Sequence, residues 1–267
     1  MVNVSVIIPV YNCRKFLKHT VASVENQTYQ NWELLIVDDA STDGSDKELD
    51  RLAAQNPKIK VWHLLENKGV SYCRNFAMKQ AQGRYLAFLD ADDLWAKNKL
   101  AHQLFDMVQR HSALSHTGYA FMNSKGFILP VGKVETDNHL DLPTYMKTTQ
   151  IGMSTVIVDR KIAGDFVFPE DRELCEDARA WMHFLRKNMR FSGVNEVLTL
   201  YRVRANQLSR NKLKVVENTF KRYWNEKNLP AYKRLWYFFN YACHGVGKRL
   251  KRTNIDISLL KHFNCNR

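Results

Sequence analysis

The chain has 267 residues, 45% hydrophobic and 25% charged, with a formal net charge of +13, and shows neither low-complexity tracts nor internal repeats. Those values suit a globular protein with a sizeable core, built as one large α/β domain or one domain with an appendage. Cys13, Cys73, Cys175, Cys243 and Cys265 are odd in number and never spaced C-x-x-C, which argues against a disulfide framework or a zinc site and fits a reducing cytoplasm.

The first residues run straight into an apolar strand over 4–10, not into a signal peptide. A helix begins near Cys13 with Asn12 as its N-cap, and Leu17, Val21 and Val24 recur at helical spacing. The second strand, 32–37, ends in Asp38-Asp39, and the turn chemistry of 40–45 leads into a helix through about Gln55. A third strand over 59–64, a helix over 70–81 and a fourth strand over 85–89 follow, then a helix after Trp95 to about His111. This alternation predicts a parallel sheet with crossover helices. Beyond it the pattern loosens. A hairpin is expected across Asn123-Ser124-Lys125-Gly126, joining 114–121 to 127–131. A strand over 152–158, a helix from Cys175 to Asn188 and a strand over 197–203 complete the body.

Charge divides the chain unevenly. Residues 1–201 balance 24 Lys and Arg against 24 Asp and Glu, whereas residues 202–267 carry 16 against 3. A neutral body therefore bears a basic tail. In that tail Leu235, Phe239, Ala242, Val246 and Leu250 recur at helical spacing, with Asn240, His244, Lys248 and Lys251 opposite. An interfacial amphipathic helix on an anionic membrane surface and an ordinary helix packed on the body both fit this pattern. No uninterrupted apolar stretch approaches the ~20 residues needed to span a bilayer.

Asp90-Ala91-Asp92-Asp93, directly after the apolar run 85–89, carries the functional signal. Three carboxylates at the end of a buried strand repel one another unless a cation sits among them. A hard divalent ion held by one or two carboxylates and by substrate phosphates answers that need; a helix cap needs only one Asp. Ligands of open parallel sheets bind beyond the carboxyl ends of the strands. Three such ends read Pro9-Val10-Tyr11-Asn12, Asp38-Asp39 and Asp90-Ala91-Asp92-Asp93. Tyr11 can stack on a base, and Asp39 can accept a hydrogen bond from that base or from ribose. No G-x-G-x-x-G follows the first strand and no P-loop occurs, so the metal and cationic side chains must hold the phosphates. Lys68, Arg74 and Arg84 are the candidates, Arg74 foremost, with a solvated helix face as its alternative.

With these residues assembled, the chain resembles the family 2 glycosyltransferases, inverting enzymes of the A-type fold that use nucleotide sugars. The matching segments are Val4-Ser5-Val6-Ile7-Ile8-Pro9-Val10-Tyr11-Asn12, Val37-Asp38-Asp39-Ala40-Ser41-Thr42-Asp43, Asn67-Lys68-Gly69-Val70-Ser71, Arg74-Asn75 and Leu89-Asp90-Ala91-Asp92-Asp93. Glu176-Asp177 is similar to the family's later acidic pair, and Tyr201-Arg202 with Ser209 to its closing segment, where Arg204 stands in place of a frequent histidine. The resemblance is strongest to the small bacterial enzymes that build O-antigen, capsule or teichuronic acid.

That likeness implies a Rossmann-like, mostly parallel central sheet with flanking helices and a basic C-terminal helical extension. It implies a nucleotide-sugar half over 1–100, an acceptor half over 101–210 of the same catalytic domain, and a tail over 211–267. Pro9, Tyr11, Asp39, Arg74 and Asp90 would bind the nucleotide of a UDP-sugar, and Asp90 with Asp92 would hold Mn2+ or Mg2+. Asp177, beside Glu176, would be the general base, although on position alone it also suits a helix cap. The expected reaction is sugar transfer from a nucleoside diphosphate to a hydroxyl of a glycan, lipid-linked, on the cytoplasmic face of the membrane. A polyprenyl-phosphate sugar synthase would share the donor half. A nucleic-acid-binding module would use the basic tail, but nothing there matches a reading fold, and no nucleic-acid partner is expected.

Overall fold

The computed structural model describes residues 3–130, 136, 140–148, 151–171, 175–204, 212–250 and 263. Its elements are β1 (Val4–Val10), α1 (Arg14–Glu25), β2 (Trp32–Asp38), α2 (Ser45–Gln55), β3 (Ile59–His63), α3 (Val70–Gln80), β4 (Tyr85–Phe88), β5 (Leu94–Trp95) and α4 (Lys99–Arg110). There follow β6 (Leu114–Met122), α5 (Leu142–Thr148), β7 (Ile157–Asp159), α6 (Arg160–Ala163), α7 (Glu176–Arg186), β8 (Phe191–Arg202), α8 (Lys212–Trp224) and α9 (Ala231–Leu250).

All eight strands lie in one sheet, in the order β3-β2-β1-β4-β7-β6-β8-β5. The β3-β2-β1-β4 portion is parallel, β7 is antiparallel to both of its neighbours, and β6 pairs with β8 in parallel. Strands β1 and β2 are continuous Val, Ile and Leu runs because helices cover both of their faces. The period-2 pleat sends Val4, Val6, Ile8 and Val10 into a core with α1, α2 and α4. Ile7, Leu35 and Val37 enter the opposite core, with α3, α5 and α7. The sheet crosses both expected halves.

The predicted helix start at Asn12 needs correction. Asn12 adopts a left-handed φ of 50°, and Cys13 takes the N-cap position without a side-chain bond. The second loop caps α1 instead. Ser41 Oγ accepts from the Asn12 N–H at 3.0 Å, Ser45 Oγ from Cys13 at 3.1 Å, and Asp43 Oδ2 from Arg14 at 3.0 Å. Asn12 Oδ1 in turn accepts from the Thr42 N–H at 2.8 Å. The loops beyond β1 and β2 are thereby tied together.

The later half departs further from its pattern. The expected strand over 152–158 splits into a 3-10 turn at Met153–Thr155 and the short β7, because Ser154 turns inward. The expected hairpin is reduced to one antiparallel bridge between Met122 and Ile128, and Val131 lies outside the described residues. In the tail, α9 packs against α5 and α8. Its Tyr237 is buried, Phe238 meets Phe220 at 5.1 Å between ring centroids, and Tyr241 meets Tyr223 at 6.2 Å. Ser209 and Lys251 lie outside the described residues, as do the side chains of 244–250.

Gly83 leads into β4, donating its N–H to Ser5 Oγ at 2.9 Å. A Cβ there would stand 2.6 Å from the Ser5 nitrogen and 2.8 Å from the Val4 carbonyl carbon, both backbone atoms of the central strand. Gly83→Ala should therefore destabilise the fold by about 1–3 kcal/mol. Thermal melting would show this as a loss of roughly 2–4 °C per kcal/mol; an unchanged melt would contradict the packing described.

Candidate active site

The chain runs outward through β1, β2 and β3, then re-enters the sheet as β4 on the other side of β1. That reversal opens a crevice beyond the carboxyl ends of β1 and β4, where α/β sheets bind ligands. Half-buried Pro9 is the penultimate residue of β1, and Tyr11 stands just beyond the strand, 50% exposed. Asp39 follows β2, two strand spacings (~10 Å) across the sheet from β4. Its Oδ1 accepts the Lys68 N–H at 2.7 Å and its Oδ2 the Gly69 N–H at 2.9 Å, at the start of α3. Gly69 has a φ of 92°, which favours glycine in that loop. Each Asp39 oxygen keeps a further acceptor lone pair. Its neighbour Asp38 accepts from the loop at Ser41 and meets His63 Nδ1 at 2.9 Å, and His63 Nε2 meets Asp50 at 3.1 Å.

Beyond β4 the chain turns through the three acids. Asp93 is buried and structural: Ser154 Oγ donates to its Oδ2 at 2.5 Å and the Arg202 N–H to its Oδ1 at 2.8 Å. Burial and the charges of Asp92 and Asp90 push its carboxyl well above the usual range. Ser154 also accepts the Asp90 N–H at 3.0 Å, and Thr20 Oγ1 bonds the carbonyls of Ala91 and Asp93. Asp92 Oδ2 is buried and has no hydrogen-bond donor, although Arg204 Nε lies 2.5 Å away as an ion pair without hydrogen-bond alignment. Burial pushes the Asp92 carboxyl up, Arg204 draws it back, Asp90 pushes again, and it settles at about 6.

An under-satisfied carboxylate beside a second one is a hard-oxygen donor set that fits Mg2+ or Mn2+. Among the described residues no group of three or more His, Cys, Asp or Glu side chains converges as a cage, so substrate oxygens would supply the remaining positions.

Arg74 is neither solvated nor lone. It is 3% exposed, and its Nη2 donates to Asp90 at 2.8 Å while its Nη1 donates to Glu176 at 2.7 Å. One guanidinium thus joins the turn after β4 to the first residue of α7. The expectation of phosphate oxygens at Arg74 meets carboxylates at both terminal nitrogens. Next to it, Asn75 holds the approach to α7 through the Phe168 carbonyl at 2.8 Å, the Phe168 N–H at 2.8 Å and Glu170 at 2.7 Å. Asp177 follows Glu176, and its Oδ1 accepts the Ala178 N–H at 2.7 Å. Burial and the charge of Glu176 raise its carboxyl to about 6, against the pull of that N–H, Arg74 and Arg222. Lys68 is exposed beside Glu66, whereas Arg84 grips Asp159 at 2.6 Å at the amino end of β4, the wrong end of the sheet for the crevice.

Three site residues, Ser154, Tyr119 and Phe121, escaped the sequence pattern. Ser154 sits in a segment that reads as a plain strand. The rings of Tyr119, Phe121 and Tyr201 cluster at 5.5–6.1 Å between centroids, and the charges of Asp177 and Asp93 both act on Tyr119. The period-2 spacing of Tyr119 and Phe121 on one strand was the available signal. A separate cleft of about 690 Å3 opens between α7 and α8, lined by Phe166, Arg179, His183 and Arg222 but by none of the predicted site residues.

Comparison with known proteins identifies the family and the fold. The profile for Glycosyl transferase family 2 matches residues 5–158. TuaG of Bacillus subtilis, named for teichuronic acid biosynthesis, is 40% identical over 248 residues, covering 92% of this chain and 97% of its own. WfgD of Escherichia coli, named a UDP-Glc:alpha-D-GlcNAc-diphosphoundecaprenol beta-1,3-glucosyltransferase, is 33% identical over 252 residues, covering 92% and 94%. The structure of S. aureus TarS with UDP-GlcNAc covers 98% of this chain and 78% of its own at a TM-score of 0.70, with 20% identity, a likeness of fold. The profile match and the 40% identity to TuaG place this chain in glycosyl transferase family 2.

Proposed function

We propose that this protein transfers a hexose or N-acetylhexosamine from a UDP-sugar to a hydroxyl of a lipid-linked glycan, with inversion, in surface-polysaccharide assembly at the cytoplasmic face of the membrane. The observation that carries the reading is Arg74, which gathers Asp90 and Glu176 around one guanidinium. The acidic turn and the acidic pair at α7 therefore serve a single site. The relatives named for teichuronic acid and for a diphosphoundecaprenol acceptor support the substrate class.

Pro9 and Tyr11 flank the base, and the spare lone pairs of Asp39 accept its N–H. Asp90 and Asp92 would hold a divalent ion, which when bound supplies Lewis-acid stabilisation of the leaving diphosphate. Arg74 positions: it fixes the Asp90 and Glu176 carboxylates without reaching the sugar. Asp177 takes the proton from the acceptor hydroxyl as the new bond forms on the face opposite the departing diphosphate. The charges of both Asp93 and Asp177 act on Tyr119, and an acceptor sugar ring can rest on the cluster it forms with Phe121 and Tyr201.

Asp177→Asn should lower transfer by roughly 10²–10⁴-fold and leave UDP-sugar binding intact; full transfer would remove the base assignment. A general base acts ionised, so the pull of its raised pKa has a defined sign. With Asp177 at about 6, kcat/KM should level off above that pH and fall about tenfold per unit below it. Titration calorimetry tests the ion independently of turnover. UDP should bind more tightly with Mn2+ than with chelator, and Asp92→Asn should erase that difference; equal affinity in the wild type would sink the metal role.

A further inference from the structure

Helix α9 has two apolar faces. The inner one, through Tyr237, Phe238 and Tyr241, is occupied by α5 and α8. The outer one presents Tyr232, Leu235, Trp236 and Phe239, which are 67%, 50%, 57% and 60% exposed. Positions 232, 235, 236 and 239 fall within one stripe of a 3.6-residue helix, so these large side chains form a line. Trp236 and Phe239 stack with 6.3 Å between their centroids. Isolated exposed hydrophobics need no explanation, but a contiguous aromatic stripe does.

Charge identifies the occupant. From Lys227 to Ile255 the chain contains no carboxylate, while Lys227, Lys233 and Arg234 precede or open the stripe and Lys248, Arg249, Lys251 and Arg252 follow it in sequence. The excess charge of the whole chain lies in residues 202–267. No helix among the described residues is long and apolar enough to cross a membrane. Tyr and Trp favour the level of the lipid headgroups, and each Lys or Arg near an anionic leaflet adds about 1 kcal/mol of attraction.

We propose that the outer face of α9 is a docking surface for an anionic lipid bilayer, lying flat at the interface with Tyr232, Leu235, Trp236 and Phe239 inserted. The body is thus held by the inner face and the membrane by the outer one. The purpose of this surface rests on the lipid-linked acceptor of the reading above, but its test does not.

The full-length protein should co-sediment with vesicles of phosphatidylglycerol and phosphatidylcholine, bind vesicles of phosphatidylcholine alone more weakly, and lose affinity as salt rises. The double variant Trp236→Ser, Phe239→Ser should lose roughly tenfold or more of that binding, keep its melting temperature and keep transfer to a short soluble acceptor. Charge reversal at Lys227 and Lys233 should remove the preference for anionic vesicles. Vesicle binding that survives the double variant overturns the proposal. So does a wild-type dimer that ignores vesicles and that the double variant dissociates, since a second copy would then cover the stripe. Normal vesicle binding without any sugar transfer would instead sink the enzymatic reading and leave this surface standing.

Discussion

A single buried cation, the Arg74 guanidinium, holds the site together. Removing an ion from water costs several kcal/mol, and a buried pair recovers it only with good geometry and satisfied hydrogen bonds. Arg74 meets that condition at its two terminal nitrogens, through Asp90 and Glu176, whereas its buried Nε finds no partner. The cost of losing it would be uneven. Two carboxylates would face each other without a counter-charge, a loss of the 3–5 kcal/mol class for a broken buried pair. The effect would reach Asp177 as well, since Arg74 is among the charges that hold its carboxyl down. Geometry at Glu176 and basicity at Asp177 thus share one cause.

Two further devices keep the crevice rigid. Polar side chains of one loop cap the helix that follows another, so Tyr11 and Asp39 are mounted on mutually bonded loops. Ser154 does the same for the acidic turn: its hydroxyl bonds Asp93 and Asp90, while its carbonyl accepts Trp95 Nε1 at 2.7 Å. Residues far apart in sequence are therefore fixed to one another before any ligand arrives. Preorganisation of this kind spares the ordering cost that binding would otherwise carry.

Most of the donor half was legible because its physics is local. Strands buried on both faces must be continuous apolar runs, and such runs with polar residues at their carboxyl ends announce both the sheet and its crevice. The failures share a different origin. Ser154 abandons strand geometry because tertiary hydrogen bonds outweigh a β-compatible pattern, and no window of sequence contains Asp93 and Ser154 together. Arg74 reads as a phosphate ligand or a solvated position on α3 and not as a carboxylate clamp, since its carboxylate partners arrive from 16 and 102 residues away. Helix α9 reads as either interfacial or packed on the body, because Tyr237 and Tyr241, aromatic residues with small polar tips, leave both open. Amphipathic side chains of that type serve either environment.

The uneven charge follows from the same demands. An acidic turn suited to a divalent ion is best served by few competing cations, and among the described residues of the body, neutral over residues 1–201, Arg74 is the cation paired with it. The basic excess is confined to residues 202–267, and part of it meets the acidic groups: Arg222 acts on Asp177, while Arg202 and Arg204 stand at the end of β8 and just beyond it. Arg202 Nε donates to the Asp92 carbonyl at 2.6 Å, and Arg204 pairs with the Asp92 side chain. The basic segment begins, then, in contact with a buried carboxylate of the acidic turn.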